Sequence, residues 1–324
     1  MKSQPLVTFT DRGFYVPLAD VYIDPIAPVS KAFITHGHAD HSSYGHQSYL
    51  CTHSALPVIK YRMGSHTNIS GVSFGESITV NGVQFSFYPA GHIIGSAQIK
   101  IEYKGEIWVV SGDYKLTKDK LSENFESVKC HTFITESTFG LPEFSWQSDE
   151  VIFDSINLWW RNNIAQDRVS IIAAYALGKA QRIINGVDHS IGKVFTHGSI
   201  ENINEVIRRQ GILLANTTRV TQKQKSKIYK GALVIAPPPI ALSSWTFRFQ
   251  KQSVAIASGW IGKNIKDTRF DKEFELSDHA DYNQLLDAVQ STNAEKVFVN
   301  HGYTKEFCKS LINLGIDAEE VFVT

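Results

Sequence analysis

Short apolar runs separated by Gly and Pro dominate the chain up to about residue 142 and predict a β-rich region. Residues 22–25, 32–35, 83–87 and 107–110 are such runs. Their β-branched and aromatic side chains are typical of strands. The pattern changes near Pro142, where helical spacing begins to alternate with apolar strands.

The middle region has the alternation that α/β domains show. Apolar positions recur at helical spacing over 148–162, and Ser199 is predicted to cap a helix that Gly211 closes. Continuous apolar runs at 169–174 and 233–236 predict buried strands. We therefore predict a second domain inserted into the first. The predicted domain bounds are 1–142, 143–268 and 269–324.

Two further helices are predicted from capping and spacing. One follows the strand at 169–174 and passes through Leu177 and Ile184. The other begins after Asp281, which lies three residues before Gln284 as in a capping box. A strand at 297–299 and a helix at 304–314 complete the chain.

Composition excludes several classes of protein. The chain has 324 residues, of which 43% are hydrophobic and 20% charged, which is the composition of a globular protein with an ample core. No apolar run approaches the roughly 20 residues of a membrane helix, and residues 1–14 carry no apolar signal core. Cys51, Cys130 and Cys308 are far apart, which argues against a disulfide framework and for the cytoplasm.

Charge is balanced overall but unevenly distributed. The formal net charge is zero, yet residues 206–266 contain no Asp or Glu and eleven Lys or Arg. Such an asymmetry suits a phosphate-binding face, although a solvated basic surface would have the same composition. The eleven cations are Arg208, Arg209, Arg219, Lys223, Lys225, Lys227, Lys230, Arg248, Lys251, Lys263 and Lys266.

The strongest chemical signal is the segment 35–41, Thr-His-Gly-His-Ala-Asp-His, which directly follows an apolar strand. Imidazole nitrogens and carboxylate oxygens are the ligands that zinc accepts where thiolates are absent. His36 and His38 can converge on one ion, whereas Asp40 and His41 lie further round the loop and indicate a second. A loop that is rich in histidine by chance is the alternative.

Three further strand ends carry one candidate ligand each. His92 follows the strand at 83–87, Asp113 follows the strand at 107–110, and His301 follows the strand at 297–299. A lone histidine at such a place is usually structural. Three such residues that complement the first loop favour a shared metal centre.

Four motifs in this order resemble those of proteins with the metallo-β-lactamase fold: HxHxDH, AGH, SGD and NHG. The segments TESTFG at 135–140 and SDHAD at 277–281 resemble markers of its β-CASP nuclease branch. The run IASGW at 256–260 is most similar to the bacterial DNA-ligase-associated putative exonucleases. The resemblance implies an α/β fold, a metallo-β-lactamase αββα sandwich with an inserted β-CASP α/β domain.

The resemblance also implies residue roles. His279 would be a general acid oriented by Glu136, and Asp40 would join them among the catalytic residues. Two Zn²⁺ ions per chain are expected, with Mn²⁺ as a possible substitute. The first ion would be held by His36, His38 and His92, the second by Asp40, His41 and His301, and Asp113 would bridge both.

Three residues of the middle region are candidate phosphate contacts. Lys179 lies at a predicted helix start, where the helix dipole favours an anion. Ser258 and Gly259 lie in a turn whose backbone N–H groups could bind phosphate.

These features predict a zinc-dependent nuclease, in which two metal ions activate a bridging hydroxide to hydrolyse phosphodiester bonds. DNA is favoured over RNA, with exonuclease action on single-stranded or end-bearing DNA in repair. The resemblance implies a DNA ligase or helicase partner. No membrane partner is expected, because no apolar run is long enough to span a bilayer. An RNA-processing β-CASP ribonuclease is the first alternative. A small-molecule metallo-hydrolase and an inactive binding subunit are the others.

Overall fold

A computed structural model describes residues 5–261 and 268–322. Within them the chain folds as two compact units. The first runs to Ser145 and resumes at His279, and the second is Trp146–Asp278. Each predicted domain boundary therefore lies too early. The second one differs most because Phe270 and Phe274 still belong to the second unit, where Phe270 packs into its core and Phe274 pairs with Ala257.

The elements follow one another in chain order. The strands are β1 (Thr8–Thr10), β2 (Gly13–Val16), β3 (Val21–Ile23), β4 (Lys31–Phe33), β5 (Ser48–Thr52), β6 (Ile69–Val72), β7 (Ser77–Val80), β8 (Val83–Pro89), β9 (Ala97–Tyr103), β10 (Glu106–Val110), β11 (Thr132–Ser137), β12 (Val169–Ala173), β13 (Val194–Thr196), β14 (Thr218–Arg219), β15 (Leu233–Ala236), β16 (Gln252–Ala257), β17 (Lys272–Phe274), β18 (Lys296–Gly302) and β19 (Asp317–Glu320). The helices are α1 (Leu56–Met63), α2 (Asp149–Ala165), α3 (Lys179–Gly186), α4 (Gly198–Arg209), α5 (Pro238–Ala241), α6 (Tyr282–Thr292) and α7 (Thr304–Asn313), with 3-10 helices at Ser226–Tyr229 and Ser244–Phe249.

The first unit is a sandwich of two sheets. One sheet has the order β1-β2-β3-β4-β5-β6 and the other β19-β18-β11-β10-β9-β8-β7. Their inner faces share one core, in which Val21 and Phe33 of the first sheet meet Phe85 and Ile99 of the second. Helix α1 packs against the outer face of the first sheet. Helices α6 and α7 cover the second, so the layers are α, β, β and α.

The second unit is built on a six-stranded sheet with the order β14-β13-β15-β12-β16-β17. All its pairings are parallel. Buried apolar runs form its central strands, as predicted, because a parallel sheet is covered on both faces. The mixed α/β class predicted from the sequence is confirmed.

Helix α3 begins at Lys179, which the sequence predicts to lie at a helix start. Leu177, which is predicted to belong to the helix, precedes it because Gly178 has a φ of +86°, outside the helical region. One predicted cap is wrong by two residues. Helix α4 is capped by His197 rather than Ser199, since Nδ1 of His197 accepts a hydrogen bond from Ser199 N at 3.2 Å. The predicted cap Asp281 is confirmed, because its side chain accepts a hydrogen bond from Gln284 N. Ser148, the first residue of the predicted helical stretch 148–162, caps α2 by accepting a hydrogen bond from Val151 N.

Candidate metal centre

The candidate ligands of the first unit follow the carboxyl ends of strands. Strands β10, β11 and β18 are parallel neighbours, and β8 runs in the same direction because β9 is antiparallel to both β8 and β10. Their carboxyl ends therefore share one edge of the sheet. That edge carries His92, Asp113, Glu136 and His301, and His36 arrives from the end of β4 in the facing sheet.

Two glycines make the turns into this edge possible. Gly91 has a φ of +78°, and a Cβ there would lie 2.1 Å from Lys115 O. Gly112 has a φ of +57°, and a Cβ there would lie 2.7 Å from the Cβ of Thr35. Each glycine immediately precedes a candidate ligand, His92 or Asp113, so the small residue is required by close backbone approach.

Four ligand atoms converge tightly. His36 Nε2 lies 3.1 Å from His38 Nδ1, which in turn lies 3.0 Å from His92 Nε2. Asp113 Oδ2 lies 3.5 Å from His36 Nε2 and 3.7 Å from His92 Nε2. A tetrahedral zinc site with bonds of about 2.1 Å has edges of about 3.4 Å. The spacing of the four atoms fits one metal ion.

The protonation of these groups also fits a cation. Burial, followed by the neighbouring histidines His41, His92 and His38, lowers the pKa of His36 well below its usual value. His36 is therefore neutral near pH 7 and presents a lone pair. Burial raises the pKa of Asp113, and a bound cation would relieve the cost of keeping this carboxylate charged.

His41 joins the centre from the other oxygen of Asp113. Its Nε2 lies 3.5 Å from Asp113 Oδ1, and its Nδ1 lies 2.7 Å from Asp24 Oδ2. Burial alone would lower the pKa of His41, but the carboxylates of Asp113 and Asp24 raise this pKa to about 10. The two oxygens of Asp113 thus face different histidines, which is the arrangement a bridging ligand requires.

Asp40 and His301 lie near the other candidate ligands but outside the close group that His36, His38, His92 and Asp113 form. Both line a cavity of about 170 Å³ together with His41 and Asp113, but neither belongs to the group of close ligand atoms found among the described residues. His301 lies at a β-bulge, because Glu136 pairs with Asn300 and Ser137 with Gly302. Its φ of +61° turns it away from the regular ladder.

Glu136 and His279, predicted as a pair, are in contact. His279 Nδ1 lies 3.1 Å from Glu136 Oε2, and Tyr114 N donates a hydrogen bond of 2.7 Å to Glu136 Oε1. Although burial acts in the opposite direction, His279 and the hydrogen bond from Thr138 lower the pKa of Glu136. The ring centre of His279 lies 4.5 Å from that of His92. This imidazole therefore stands beside a candidate metal ligand.

Two supporting residues were not predicted from the sequence. Asp24 accepts a hydrogen bond of 2.8 Å from Thr35 N as well as contacting His41. It follows strand β3 directly, which is the same signal that identified Asp113. Arg62 on α1 donates to Gly37 O at 2.7 Å and to Ser42 Oγ at 2.6 Å. Nothing in the local sequence pattern marks Arg62 as a support for this loop.

Two of the three candidate phosphate contacts of the second unit, Lys179 and Ser258, have other partners. Lys179 Nζ forms a buried ion pair with Asp278 Oδ2 at 2.9 Å. Ser258 N donates to Phe274 O at 3.1 Å, so this N–H extends the sheet. Gly259 is buried beside it. The described contacts therefore do not favour phosphate binding by Lys179 or by the backbone N–H of Ser258.

The basic stretch is partly neutralised within the second unit. Arg208 pairs with Glu201 at 2.8 Å, and Arg219 pairs with Glu205 at 3.0 Å. Lys230 lies 3.2 Å from Asp167. Lys223, Lys225 and Lys227 are exposed, whereas Lys263 and Lys266 lie outside the described residues. The positive electrostatic field of residues 206–266 is therefore weaker than a count of their eleven Lys and Arg residues implies.

A sandwich of two sheets that carries three histidines and a shared carboxylate at one edge can hold the metal that a metallo-hydrolase uses. Residues 272–319 match the family described as RMMBL, the Zn-dependent metallo-hydrolase RNA specificity domain. The chain is 29% identical over 314 residues to a "Probable DNA ligase" of Opitutus terrae, which covers 95% of this chain and 30% of that protein. It is 26% identical over 200 residues to "Cleavage and polyadenylation specificity factor 73" of Drosophila melanogaster, which covers 50% of this chain and 29% of that protein.

An "RNase J-like protein" of Methanocaldococcus jannaschii is 23% identical over 344 residues, which cover 85% of this chain and 82% of that protein. These matches confirm the resemblance of this chain to proteins of the metallo-β-lactamase fold and its β-CASP nuclease branch. The crystal structure of a protein of unknown function from Enterococcus faecalis shares the fold, with a TM-score of 0.57 at 10% identity over 83% of this chain and 74% of that one. The chain spans about a third of the length of the first two relatives.

Proposed function

We propose that this chain is a metal-dependent nuclease that hydrolyses the phosphodiester bonds of DNA, acting as an exonuclease on single-stranded or end-bearing strands in repair. The observation that carries the proposal is the position of His279. Its ring lies 4.5 Å from that of the candidate ligand His92 while Glu136 contacts its Nδ1. An acid–base residue beside a metal centre is what phosphodiester cleavage requires.

The residues of the first unit would hold two Zn²⁺ ions, or Mn²⁺ in their place. His36, His38, His92 and Asp113 fit one ion, and His41 would hold the other together with Asp40 and His301. When bound, the metal supplies an electrophile for the phosphate and a source of hydroxide near neutral pH. Asp113 supports this assignment because its two oxygens face His36 and His41 separately.

His279 would transfer a proton to the leaving oxygen. Because Nδ1 is held by Glu136, Nε2 is the nitrogen that can carry a proton toward substrate. The Glu136 carboxylate favours the imidazolium form, and its own position is set by Tyr114 N. A leaving group with a high pKa needs this proton most.

DNA is supported by the relative of Opitutus terrae, since its printed name is that of a DNA ligase and it matches 95% of this chain. The same name supports action beside a ligase; no described feature bears on a helicase. RNA is the second candidate, supported by the RNA specificity description over 272–319 and by the RNase J-like relative. A cytoplasmic location remains a prediction. Within 5–261 and 268–322, no helix is long and apolar enough to span a membrane.

The deciding experiment compares DNA and RNA strands of one sequence, labelled at either end and with the opposite end blocked, incubated with the Zn²⁺- or Mn²⁺-loaded protein. We expect DNA to be shortened progressively from one end, and Asp113→Ala to abolish the reaction. Cleavage of RNA alone would establish the second candidate. If neither strand were cleaved while a lactam or a thioester were hydrolysed, the nuclease proposal would be overturned.

A further inference from the structure

Two large aromatic side chains are exposed at the carboxyl edge of the parallel sheet in the second unit. Tyr175 is 61% exposed and follows β12, and Trp260 is 55% exposed and follows β16. Strands β12 and β16 are parallel neighbours, with Ala173 opposite Ile256. The two loops that carry the aromatic rings therefore leave the same edge of the sheet from adjacent strands.

The connections of these strands run in opposite directions. From β12 the chain passes through α3 to β13, which lies beyond β15 on one side. From β16 it passes to β17, the next strand on the other side. In open α/β sheets, adjacent strands whose connections diverge leave a crevice at their carboxyl ends, and this is where ligands bind. Tyr175 and Trp260 stand on the two loops that border such a crevice.

The polar groups beside the crevice support these rings. Lys179 Nζ, paired with Asp278, lies 5.9 Å from the ring centre of Tyr175. Ser258 Oγ accepts a hydrogen bond of 3.1 Å from Trp260 N, which holds the turn that carries the tryptophan. The exposed surface offered by Tyr175 and Trp260 is therefore flat and aromatic, which suits a nucleobase better than a phosphate.

We propose that Tyr175 and Trp260 stack on unpaired nucleobases, so that the substrate class of this chain is a single strand with intact bases. The inference rests on the proposed nuclease function and specifies its substrate. In a duplex each base face is covered by its neighbours, whereas a single strand can present its bases to aromatic side chains. Such stacking tolerates any sequence, because every base has an aromatic face.

The test uses Tyr175→Ala and Trp260→Ala, with Tyr175→Phe and Trp260→Phe as variants that keep a ring. The matched control is Phe247→Ala. Phe247 is 77% exposed but lies in the 3-10 helix before β16, at the amino end of the sheet. Kinetics on a labelled single strand should show KM raised roughly tenfold by each alanine change, with kcat little altered. The Phe variants and the control should keep KM near that of the unchanged protein.

A strand of the same length with abasic sites supplies the second arm. The unchanged protein should bind it more weakly than the intact strand, and the alanine variants should lose this discrimination. Binding is measured as fluorescence anisotropy on phosphorothioate strands, so that cleavage is not needed for the readout. Equal affinity of the unchanged protein and both alanine variants for the intact strand would overturn the stacking proposal.

Hydrolysis of bis(4-nitrophenyl) phosphate separates this proposal from the function on which it rests. That diester has no base, so Tyr175→Ala and Trp260→Ala should hydrolyse it at the unchanged rate. If the unchanged, metal-loaded protein did not hydrolyse bis(4-nitrophenyl) phosphate, that result would count against the nuclease function itself. Retained hydrolysis together with an unaltered KM for the single strand in the alanine variants would count against stacking alone.

Discussion

At the scale of single residues, the centre depends on carboxylates that act on imidazoles. Asp24 contacts Nδ1 of His41 while Nε2 of the same ring faces Asp113. Glu136 contacts Nδ1 of His279 in the same way. A carboxylate behind an imidazole fixes the tautomer and the ring orientation, and it makes the other nitrogen a better ligand or proton carrier.

Asp24→Ala should therefore weaken metal binding without abolishing it. Loss of an outer carboxylate of this kind typically lowers metal affinity about 10- to 100-fold. Competition with a chelator of known affinity, followed by elemental analysis, measures the change. Asp11→Ala, which removes an exposed carboxylate of the same region, is the control. Equal affinity in the two variants would show that Asp24 does not orient His41.

His279→Ala should lower kcat and leave metal content unchanged, because His279 is assigned a proton transfer and not a metal ligand. General acid catalysis contributes about 10²- to 10⁴-fold. The loss should be large for DNA and small for 4-nitrophenyl esters, whose leaving group needs no proton. Glu136→Gln should reproduce part of the effect. An undiminished kcat on DNA would contradict the general-acid role.

At the scale of elements, short turns at strand ends carry the chemistry. The turn after β8 brings His92 to the edge through Gly91, whose missing Cβ allows the backbone of Lys115 to pass. The bulge between β11 and β18 turns His301 away from its ladder. Regular strands thus supply rigid positions, and irregular residues at their ends aim the side chains.

Gly91→Ala should destabilise the protein more than Gly105→Ala. Both glycines have a positive φ, +78° and +85°, but a Cβ at Gly105 meets nothing within 4 Å. The left-handed conformation alone costs roughly 1–2 kcal/mol, and the clash at Gly91 should add about 1–3 kcal/mol. Urea unfolding measures both variants. Equal losses of unfolding free energy would show that the close approach to Lys115 relaxes freely.

At the scale of the whole molecule, charge is divided between regions. The stretch 206–266 has no acidic residue, yet Glu201, Glu205 and Asp167 neutralise several of its cations. The exposed lysines of this stretch are left as the groups that can meet neighbouring phosphates. Such contacts release counterions, so they affect affinity and its salt dependence more than the chemical step.

Changing Lys223, Lys225 and Lys227 together to Gln should raise KM for a single strand and flatten its salt dependence. Each lost phosphate contact lowers the salt slope by roughly 0.7. The turnover number should hardly change, because these groups bind the ground and transition states alike. A triple change of the exposed Lys104, Lys305 and Lys309 is the control. Equal salt slopes in the two triple variants would assign the first three lysines to surface solvation.

Local pattern determined much of the fold and of the ligand set. Strand runs, the helical spacing over 148–162, the cap Asp281 and the order of the motifs identified the elements and placed the histidines at strand ends. This was possible because helix caps, turn glycines and the first metal loop are encoded within a few consecutive residues. Local pattern placed the predicted ligands at strand ends, and the shared edge of the sheet brings them together. The four that meet are His36, His38, His92 and Asp113.

Tertiary packing decided what a local pattern does not encode. The pairing of Lys179 with Asp278 spans 99 residues of chain, and the support of the first loop by Arg62 spans 25. The second domain boundary depended on strand β17 joining β16, and the orientation of His301 depended on its register against β11. Such partners are selected by the geometry of separate elements in the folded chain, where burial makes each polar group find whichever partner lies within reach.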